Sequence, residues 1–274
     1  MKPLVSIIVG AYNCADAVGK CIESIIAQTY TNWELIICDD CSRDNTLEVL
    51  KKYSQQDERI VVISNPQNMR LAATLNNCLG VAKGEYVARM DTDDVCLPER
   101  IEKQVDFLEN NPEYAVVGSA AKVFDGEKIV GVRIPKENPD LNNLLRGPMF
   151  MHPTIMMRKS CYDQLGGYTV AKRTVRGQDW DLWFRFFAAG FKGYNMQEPL
   201  IIYHESSSDY KKRTLKTATM YTRTAIYGYR LVKAPIFKYY LAFKPIISAI
   251  IPTKLMVFYH KKKAEGKEKS CINE

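Results

Sequence analysis

Residues 85–98 read EYVARMDTDDVCLP, and they place three carboxylates within four positions directly after a short apolar run. That run predicts a buried strand, and Asp91, Asp93 and Asp94 then leave its carboxyl end together. In extended chain, side chains two residues apart face the same way, so Asp91 and Asp93 are expected to converge. Carboxylates this close repel one another unless a cation lies among them, and Mg²⁺ or Mn²⁺ prefers such oxygen ligands. The stretch therefore predicts a divalent-metal site at a strand end.

The same stretch has a simpler interpretation, which is a solvated acidic turn followed by a capped helix. In that case Asp94, with Pro98 behind it, would help to open the helix. The apolar residues of this predicted helix are Leu97, Ile101, Val105 and Leu108. The motif alone leaves both interpretations open.

Before this stretch, apolar runs alternate with helical patterns. Strands are predicted over 4–9, 33–38 and 60–63, and helices over 18–26, 45–53 and 71–82. This alternation is typical of an α/β protein in which helices cover both faces of a parallel open sheet. In such sheets, ligands bind beyond the carboxyl ends of the strands. The residues that fall at those ends are Tyr12, Asp40, Asn65 and Asp91.

After residue 114 the alternation is less regular. Short strands are predicted over 115–118, 122–124, 129–132, 155–157 and 200–203, with a short helix before the turn at Gly166, Gly167 and Tyr168. We therefore divide residues 1–205 into a half that supplies these strand ends, 1–95, and a second half, 96–205. The serines at 206–208 are expected to form a loop over a ligand bound at the strand ends.

Charge is distributed unevenly along the chain. The 274 residues carry a net charge of +7, but from Lys211 onward there are 15 Lys and Arg against 3 Glu, a local charge of +12. The first 210 residues therefore carry 23 basic and 28 acidic side chains, a charge of −5. A mildly acidic body argues against nucleic-acid binding across the fold, and the basic tail indicates an anionic surface such as membrane phosphate.

The cysteines and the N-terminus indicate a reducing, cytoplasmic location. Eight cysteines are scattered along the chain without the dense framework of a small secreted domain. Cys38 and Cys41 form one CxxC, but the two intervening aspartates would raise the thiol pKa values, which disfavours a redox role. The apolar run over 4–9 is too short for a signal peptide and is predicted to be a strand.

The strand-end residues are compatible with a mononucleotide site, although neither GxGxxG nor GxxxxGK[ST] is present to hold phosphates. A metal on Asp91 and Asp93 would neutralise them instead. Asp40 is an acceptor that could read the N3–H of uracil, or it could cap the turn before Asp44.

Five runs in order carry a resemblance to a known family: PLVSIIVGAYNCADAV, WELIICDDCS, MRLAATLNNCLGVAKGEY, ARMDTDDVCLPER and RGQDWDLWFRFFAAG. Over about residues 3–205 the chain resembles the inverting glycosyltransferases of family 2, which have the GT-A fold. The resemblance implies a nucleoside diphosphate sugar as donor, usually a UDP- or dTDP-sugar, and Mn²⁺ or Mg²⁺ as cofactor. It also implies that 1–95 is the nucleotide-binding half of the domain, that 96–205 is the acceptor half, and that the serines at 206–208 cover the donor.

The resemblance also implies roles for individual residues on the donor side. Gly10, Ala11 and Tyr12 would frame the base, with Asp40 on its N3. Asp91 would face the ribose and the metal, Thr92 would lie against the nucleotide sugar, and Asp93 would bind the metal. Arg70 stands where many relatives have Gly, so it is either a basic contact to the nucleotide or a solvent-facing side chain.

On the acceptor side, the resemblance implies that Asp179 is the general base. The family pattern has Glu-Asp here, whereas this chain has Gln178 and Asp179, so the proton acceptor is retained. Helical spacing places Asp179 in the first turn of a helix, where it could instead be only a cap. Gln178, Trp180 and His152 are assigned to the acceptor pocket, although for His152 a structural hydrogen bond is the stronger alternative.

Two features follow the predicted strand at 200–203. His204 is a candidate metal ligand, with a hydrogen-bonding core histidine as the alternative. Residues 206–274 form a basic, amphipathic helical tail whose longest uncharged run, 245–253, is shorter than the ~20 residues that span a bilayer. We expect this tail to lie on an anionic membrane surface. The alternatives are a helix pair packed on the catalytic body and a homodimer interface.

Together these features predict a cytoplasmic, peripheral membrane glycosyltransferase that is metal-dependent, inverting and non-processive. Its acceptor would be a saccharide or a lipid-linked saccharide in surface polysaccharide synthesis. Two alternatives remain at this point. They are a sugar-1-phosphate nucleotidyltransferase, which would require a Gly-rich, Lys-bearing phosphate loop, and a non-catalytic nucleotide-sugar-binding or scaffold protein.

Overall fold

The computed structural model describes residues 2–205 and 214–250. The serines predicted to cover the donor, the start of the basic tail and its last 24 positions, 251–274, lie outside the described residues.

One mixed sheet organises the fold, and its strands are β1 Val5–Ala11, β2 Trp33–Asp39, β3 Ile60–Ser64, β4 Tyr86–Met90, β5 Val95–Cys96, β6 Tyr114–Phe124, β7 Ile129–Arg133, β8 Met156–Arg158 and β9 Lys192–His204. Their order is β3-β2-β1-β4-β8-β6-β9-β5, with β7 paired to β6. β1 to β4 run parallel, as in the predicted nucleotide-binding half. β8 is antiparallel to both β4 and β6 and joins the two halves of the sheet.

The helices are α1 Val18–Ile26, α2 Thr46–Gln56, α3 Arg70–Val81, α4 Arg100–Asn110, α5 Leu141–Leu144, α6 Lys159–Leu165, α7 Gln178–Ala188, α8 Leu215–Leu231 and α9 Lys244–Ile250. Short 3₁₀ helices cover His152–Thr154, Lys172–Thr174 and Ile236–Phe243. The helices up to α3 lie where the periodicity predicts them, within a few residues at each end.

Helix α4 differs from the prediction at its start. It begins at Arg100 after Glu99, and no side chain caps it. The carboxylate of Asp94 is buried, and its Oδ1 accepts the backbone N–H of His204 at 2.9 Å. The hypothesis that Asp94 opens this helix is therefore wrong, because Asp94 ties the acidic stretch to the end of β9.

The second half of the sheet is more continuous than predicted. The two short strands expected over 115–118 and 122–124 are one strand, β6, and the strand expected at 200–203 is the end of β9. β6 and β9 pair in parallel along most of their length, with register shifts near Ala120. Cross-strand pairing between residues about eighty apart holds both strands extended through positions that the local pattern does not favour.

Buried apolar residues pack against both faces of the sheet. Val18 and Ile22 of α1 and Val105 of α4 belong to one cluster with β1 and β2, and Leu75 of α3 belongs to the other cluster. Helices on both faces of a mixed open sheet whose first four strands are parallel confirm the predicted α/β class.

Helix α8 packs on the body through α7. The ring centroids of Phe184 and Tyr229 are 5.8 Å apart, and a Cβ on Gly228 would lie 2.0 Å from an atom of the Phe184 ring. Only glycine permits this approach. The first described part of the basic tail therefore packs directly against α7. No helix within 2–205 or 214–250 is long and apolar enough to cross a membrane.

Candidate active site

Four polar residues follow the four parallel strands at a common edge of the sheet, as the sequence predicts. Tyr12 follows β1, Asp40 follows β2, Asn65 follows β3 and Asp91 follows β4. Their backbones are tied together, since Asp40 N–H donates to Ala11 O and Asn65 N–H donates to Asp39 O, both at 2.8 Å. The edge is therefore a continuous polar surface at which a ligand can meet residues from several strands.

Asp40 holds the start of α3 in place. Its Oδ1 accepts Asn65 Nδ2 and the N–H of Met69, both at 2.7 Å, and its Oδ2 accepts the N–H of Arg70 at 2.8 Å. Asp40 therefore caps the start of α3 and not the turn before Asp44. A carboxylate has about four lone-pair sites, so these bonds leave Asp40 able to accept one more donor.

The close packing at Gly10 and the backbone conformation of Arg70 both favour glycine. A Cβ on Gly10 would lie 2.9 Å from Leu71 Cδ1, so a larger residue here would require the Leu71 side chain of α3 to shift. Arg70 has φ +70°, a left-handed conformation that glycine adopts most easily. This conformation accounts for the glycine of the family pattern at this position, and Arg70 is held there at a cost of about 1 kcal/mol.

The acidic stretch is a turn rather than extended chain. β4 ends at Met90, and Asp94 N–H donates to Asp91 O at 3.3 Å. Asp91, Asp93 and Asp94 each contribute a carboxylate oxygen to a group within 4.8 Å. The predicted convergence is confirmed, but it arises from the turn and not from the two-residue period of a strand.

A buried arginine, Arg89, lies beneath this turn. Its Nη2 forms an ion pair with Asp91 Oδ1, and only 4% of its side-chain surface is exposed. Its Nε and Nη1 are buried and find no hydrogen-bond partner among the described residues. A guanidinium in a buried strand is stabilised by a nearby carboxylate, so the ion pair compensates the buried charge of Arg89 and fixes the orientation of the Asp91 side chain.

The other two acids of the turn differ in environment. Asp93 is exposed, and its Oδ2 lies 3.8 Å from Nδ1 of His204. Burial, followed by the negative charge of Asp91, raises the pKa of Asp94 to about 8. Asp93 and His204 thus offer an accessible carboxylate oxygen and an imidazole nitrogen that could bind a metal ion. Asp94 is buried, and its carboxylate accepts the backbone N–H of His204.

These donors fit a divalent cation. Several carboxylates crowded into one turn lose their mutual repulsion when a cation binds, and carboxylate oxygens with one imidazole suit Mn²⁺ or Mg²⁺. Asp93, His204 and the free oxygen of Asp91 are the groups that could hold it.

A cavity of about 850 Å³ opens beside the turn. It brings together seven residues predicted from the sequence, namely Asp91, Asp93, His152, Gln178, Asp179, Trp180 and His204. Six others do not line it and lie on the neighbouring strand-end surface, namely Gly10, Ala11, Tyr12, Asp40, Arg70 and Thr92. Asp91, Asp93 and His204 thus line the same cavity as Asp179, whereas the residues predicted to frame the base do not line it.

Asp179 lies in the first turn of α7, as the helical spacing predicts. The preceding Gly177 has φ +88°, and a Cβ there would lie 2.9 Å from the ring of Tyr221 on α8. Asp179 Oδ1 accepts the N–H of Trp180 at 2.8 Å, while Trp180 Nε1 donates to Leu144 O at 2.8 Å and anchors the helix start. Burial raises the pKa of Asp179, and the nearby guanidinium of Arg89 opposes that rise.

His152 lines the cavity but has a structural partner. Its Nε2 lies 2.8 Å from the hydroxyl of Tyr168, and burial lowers the pKa of His152 well below its ordinary value. The ring is therefore neutral, and the alternative given for it, a structural hydrogen bond, is confirmed. Gln178 is half-buried on the same wall and makes no side-chain hydrogen bond to a described residue.

Several cavity residues were not predicted from the sequence: Arg89, Arg133, Arg146, Arg176, Tyr221 and Lys244. Only Arg89 has a local signal, because a charged residue inside an otherwise apolar strand requires a buried partner. Tyr221 and Lys244 come from the tail, and their approach depends on how α8 and α9 pack.

Residues 6–166 match the model of the family described as Glycosyl transferase family 2. The chain belongs to glycosyl transferase family 2. This family 2 glycosyltransferase is 44% identical over 271 residues to EpsE of Bacillus subtilis (strain 168), which is named as a glycosyltransferase, and the alignment covers 98% of each chain.

A second relative, from Escherichia coli, is the UDP-Glc:alpha-D-GlcNAc-diphosphoundecaprenol beta-1,3-glucosyltransferase WfaP. It is 32% identical over 192 residues, or 70% of this chain and 73% of WfaP. Among solved structures, the mannosyltransferase PcManGT of Pyrobaculum calidifontis, in complex with GDP-Man and Mn²⁺, superposes with a TM-score of 0.64. It is 17% identical and covers 96% of this chain and 80% of its own, which confirms the GT-A fold of this family 2 enzyme.

Proposed function

We propose that this family 2 glycosyltransferase is metal-dependent and inverting. In this proposal it transfers a sugar from a UDP- or dTDP-sugar to a hydroxyl of a lipid-linked saccharide in surface polysaccharide synthesis. The proposal rests on one observation. The same cavity is lined by the metal-binding candidates Asp91, Asp93 and His204 and by the candidate base Asp179.

The two sets of carboxylates suit two different tasks. Asp91 is paired with Arg89, and Asp93 faces His204, so these acids are arranged to bind positive charge. Asp179 accepts only the Trp180 N–H among the described residues and forms no ion pair with them. A carboxylate with a raised pKa and no ion pair to a described residue is the better proton acceptor.

The proposed reaction is one displacement. Asp179 accepts the proton of the acceptor hydroxyl while that oxygen bonds to the anomeric carbon, and the bond from that carbon to the diphosphate breaks. Attack from the face opposite the diphosphate inverts the anomeric configuration. A divalent cation on Asp93, His204 and Asp91 would offset the negative charge that develops on the departing diphosphate.

The donor and acceptor classes rest on several observations. Asp40 retains acceptor capacity for the N3–H of a uracil or thymine base, and Gly10, Ala11, Tyr12, Arg70 and Thr92 lie on the same strand-end surface. WfaP is named for a UDP-sugar donor and a diphosphoundecaprenol-linked acceptor. Gln178 and Trp180 line the cavity beside Asp179 and are proposed to contact the acceptor sugar.

We further propose a cytoplasmic, peripheral membrane location. The chain from Lys211 onward carries a charge of +12, which attracts anionic headgroups. The 3₁₀ helix before α9 exposes Ile236 at 85% and Phe237 at 71%, which gives apolar groups for the headgroup zone.

The test uses the full-length protein. A thermal-shift panel of nucleotide sugars with Mn²⁺ identifies the donor, because a ligand of the folded state raises the melting temperature. Release of nucleoside diphosphate that requires both this donor and a lipid-linked acceptor, with inversion seen in the product by NMR, is the expected result. Donor binding without any acceptor-dependent release would instead identify a non-catalytic binding protein.

A further inference from the structure

Three cations on the helical wall of the cavity have no assigned role. Arg146 follows α5, Arg176 precedes α7, and Lys244 begins α9. Arg146 and Lys244 are neighbours, since Lys244 Nζ lies 3.5 Å from Arg146 O. Arg176 is three residues before Asp179 in the sequence, and both residues line the cavity. We call Arg146, Arg176 and Lys244 the cationic wall.

Among the described residues the cationic wall has no ion-pair partner, unlike the arginines around it. Arg173 and Arg185 each bind the carboxylate of Asp181, at 2.6 and 3.0 Å, and Arg133 pairs with Glu205. Across residues 2–205 and 214–250, no carboxylate forms an ion pair with Arg146, Arg176 or Lys244. Three cations that line one cavity without carboxylate partners repel one another, and an anion bound between them would remove that repulsion.

The donor does not account for this anion site. Its diphosphate is assigned to the acidic turn and its base to the strand ends, whereas the cationic wall belongs to segments next to Asp179 and Trp180. The cavity also has cations in excess, with five Lys and Arg side chains among its lining residues against three carboxylates. A second anionic group, on the acceptor side, fits that excess.

We infer that the cationic wall binds the diphosphate of a polyprenyl-diphosphate-linked acceptor. This inference rests on the proposed function and names the group by which the acceptor is held. Two arginines and a lysine suit the several oxygens of a diphosphate. On the cavity side α9 presents Pro245 and Ala249, while Ile247 and Ile250 are 58% and 69% exposed, so hydrocarbon attached to the diphosphate meets apolar surface directly beyond Lys244.

The test measures binding of farnesyl diphosphate, below its micelle concentration, to the full-length protein by calorimetry. EDTA is present, so that the acidic turn holds no metal and contributes nothing to diphosphate binding. Wild type is expected to bind, and binding should weaken as salt rises. Arg146→Gln, Arg176→Gln and Lys244→Gln should each lower the affinity about ten-fold, because each removes a charge-assisted hydrogen bond.

Three controls distinguish the sources of a diphosphate signal. The double variant Lys51→Gln/Lys52→Gln removes exposed positive charge from α2, away from the cavity, and should bind like wild type. Farnesol, which lacks the diphosphate, should bind more weakly than farnesyl diphosphate. UDP-sugar binding with Mn²⁺ should be unaffected in the three variants of the cationic wall. Thermal melts of all variants verify folding.

The outcomes separate this inference from the proposed function. If wild type binds the Mn²⁺ donor but not farnesyl diphosphate, the cationic wall is not an acceptor site and the glycosyltransferase proposal stands. If the three variants weaken donor binding and leave farnesyl diphosphate binding intact, the cations serve the donor and the inference is overturned. Farnesol binding equal to that of farnesyl diphosphate would overturn it as well, since the diphosphate would contribute nothing.

Discussion

Replacing Asp179 by asparagine should abolish most of the catalysis and leave the fold and the donor site intact. The amide oxygen of asparagine can still accept the Trp180 N–H that Asp179 Oδ1 now accepts at 2.8 Å, so the first turn of α7 keeps its geometry. What is lost is the proton acceptor. General base catalysis contributes roughly 10²–10⁴ in rate, which corresponds to about 3–5 kcal/mol of transition-state stabilisation.

The assay is single-turnover transfer with donor and Mn²⁺ saturating. We expect the single-turnover rate constant to fall by at least about a hundred-fold, while the Kd of the donor changes less than about two-fold and the free energy of unfolding by less than about 0.5 kcal/mol. Asp163→Asn makes the same chemical change at an exposed position of α6 and should change none of these quantities. Retention of full turnover by Asp179→Asn would refute the assignment of the general base.

The pH profile tests the same residue independently. Burial raises the pKa of Asp179 above 3.8, and the base must be ionised to act. In wild type, kcat/KM should therefore fall as the pH drops through this raised pKa, and the acidic limb should be missing from the residual activity of Asp179→Asn. An acidic limb that persists unchanged in the variant would belong to another group.

Three further changes test the metal site, the ion pairs of α7 and the packing of α8. Asp93→Asn should remove the gain in donor affinity that Mn²⁺ gives to wild type in calorimetry, and an undiminished gain would exclude Asp93 as a ligand. Asp181→Asn should lower the free energy of unfolding by about 3 kcal/mol in urea titrations, because Asp181 is 1% exposed and bridges two arginines; an unchanged midpoint would contradict this. Gly228→Ala should cost about 2–3 kcal/mol by overpacking against Phe184. Gly80→Ala, with nothing within 4 Å of its Cβ, is the matched control, and equal stability of the two variants would contradict the packing of α8 on α7.

The acidic turn could be found from sequence because its information is local. Asp91, Asp93 and Asp94 follow an apolar run of strand length, and strand ends of a parallel sheet share an edge. Asp179 could be placed in the first turn of α7 for a similar reason, since the apolar spacing over 182–189 sets the helix phase.

The remaining parts of the site depend on distant contacts. Arg89 is unfavourable in a buried strand unless its ion pair with Asp91 is known. β6 and β9 are extended because they pair with each other. Lys244 reaches the cavity only because α8 packs on α7 through Gly228, a position at which periodicity predicts no special approach. The role of Asp94 was misassigned because its partner, the His204 N–H, is 110 residues away.

The tail helices that close the cavity lie outside the segment that matches the family model, which ends at residue 166. Tyr221 and Lys244 therefore lie in a part of the chain other than the segment that matches the family model. Under the proposed function, exchanging residues 214–250 between relatives should keep the donor and change which acceptor is glycosylated. The choice of nucleotide sugar and the choice of glycan would then be two separately evolvable traits.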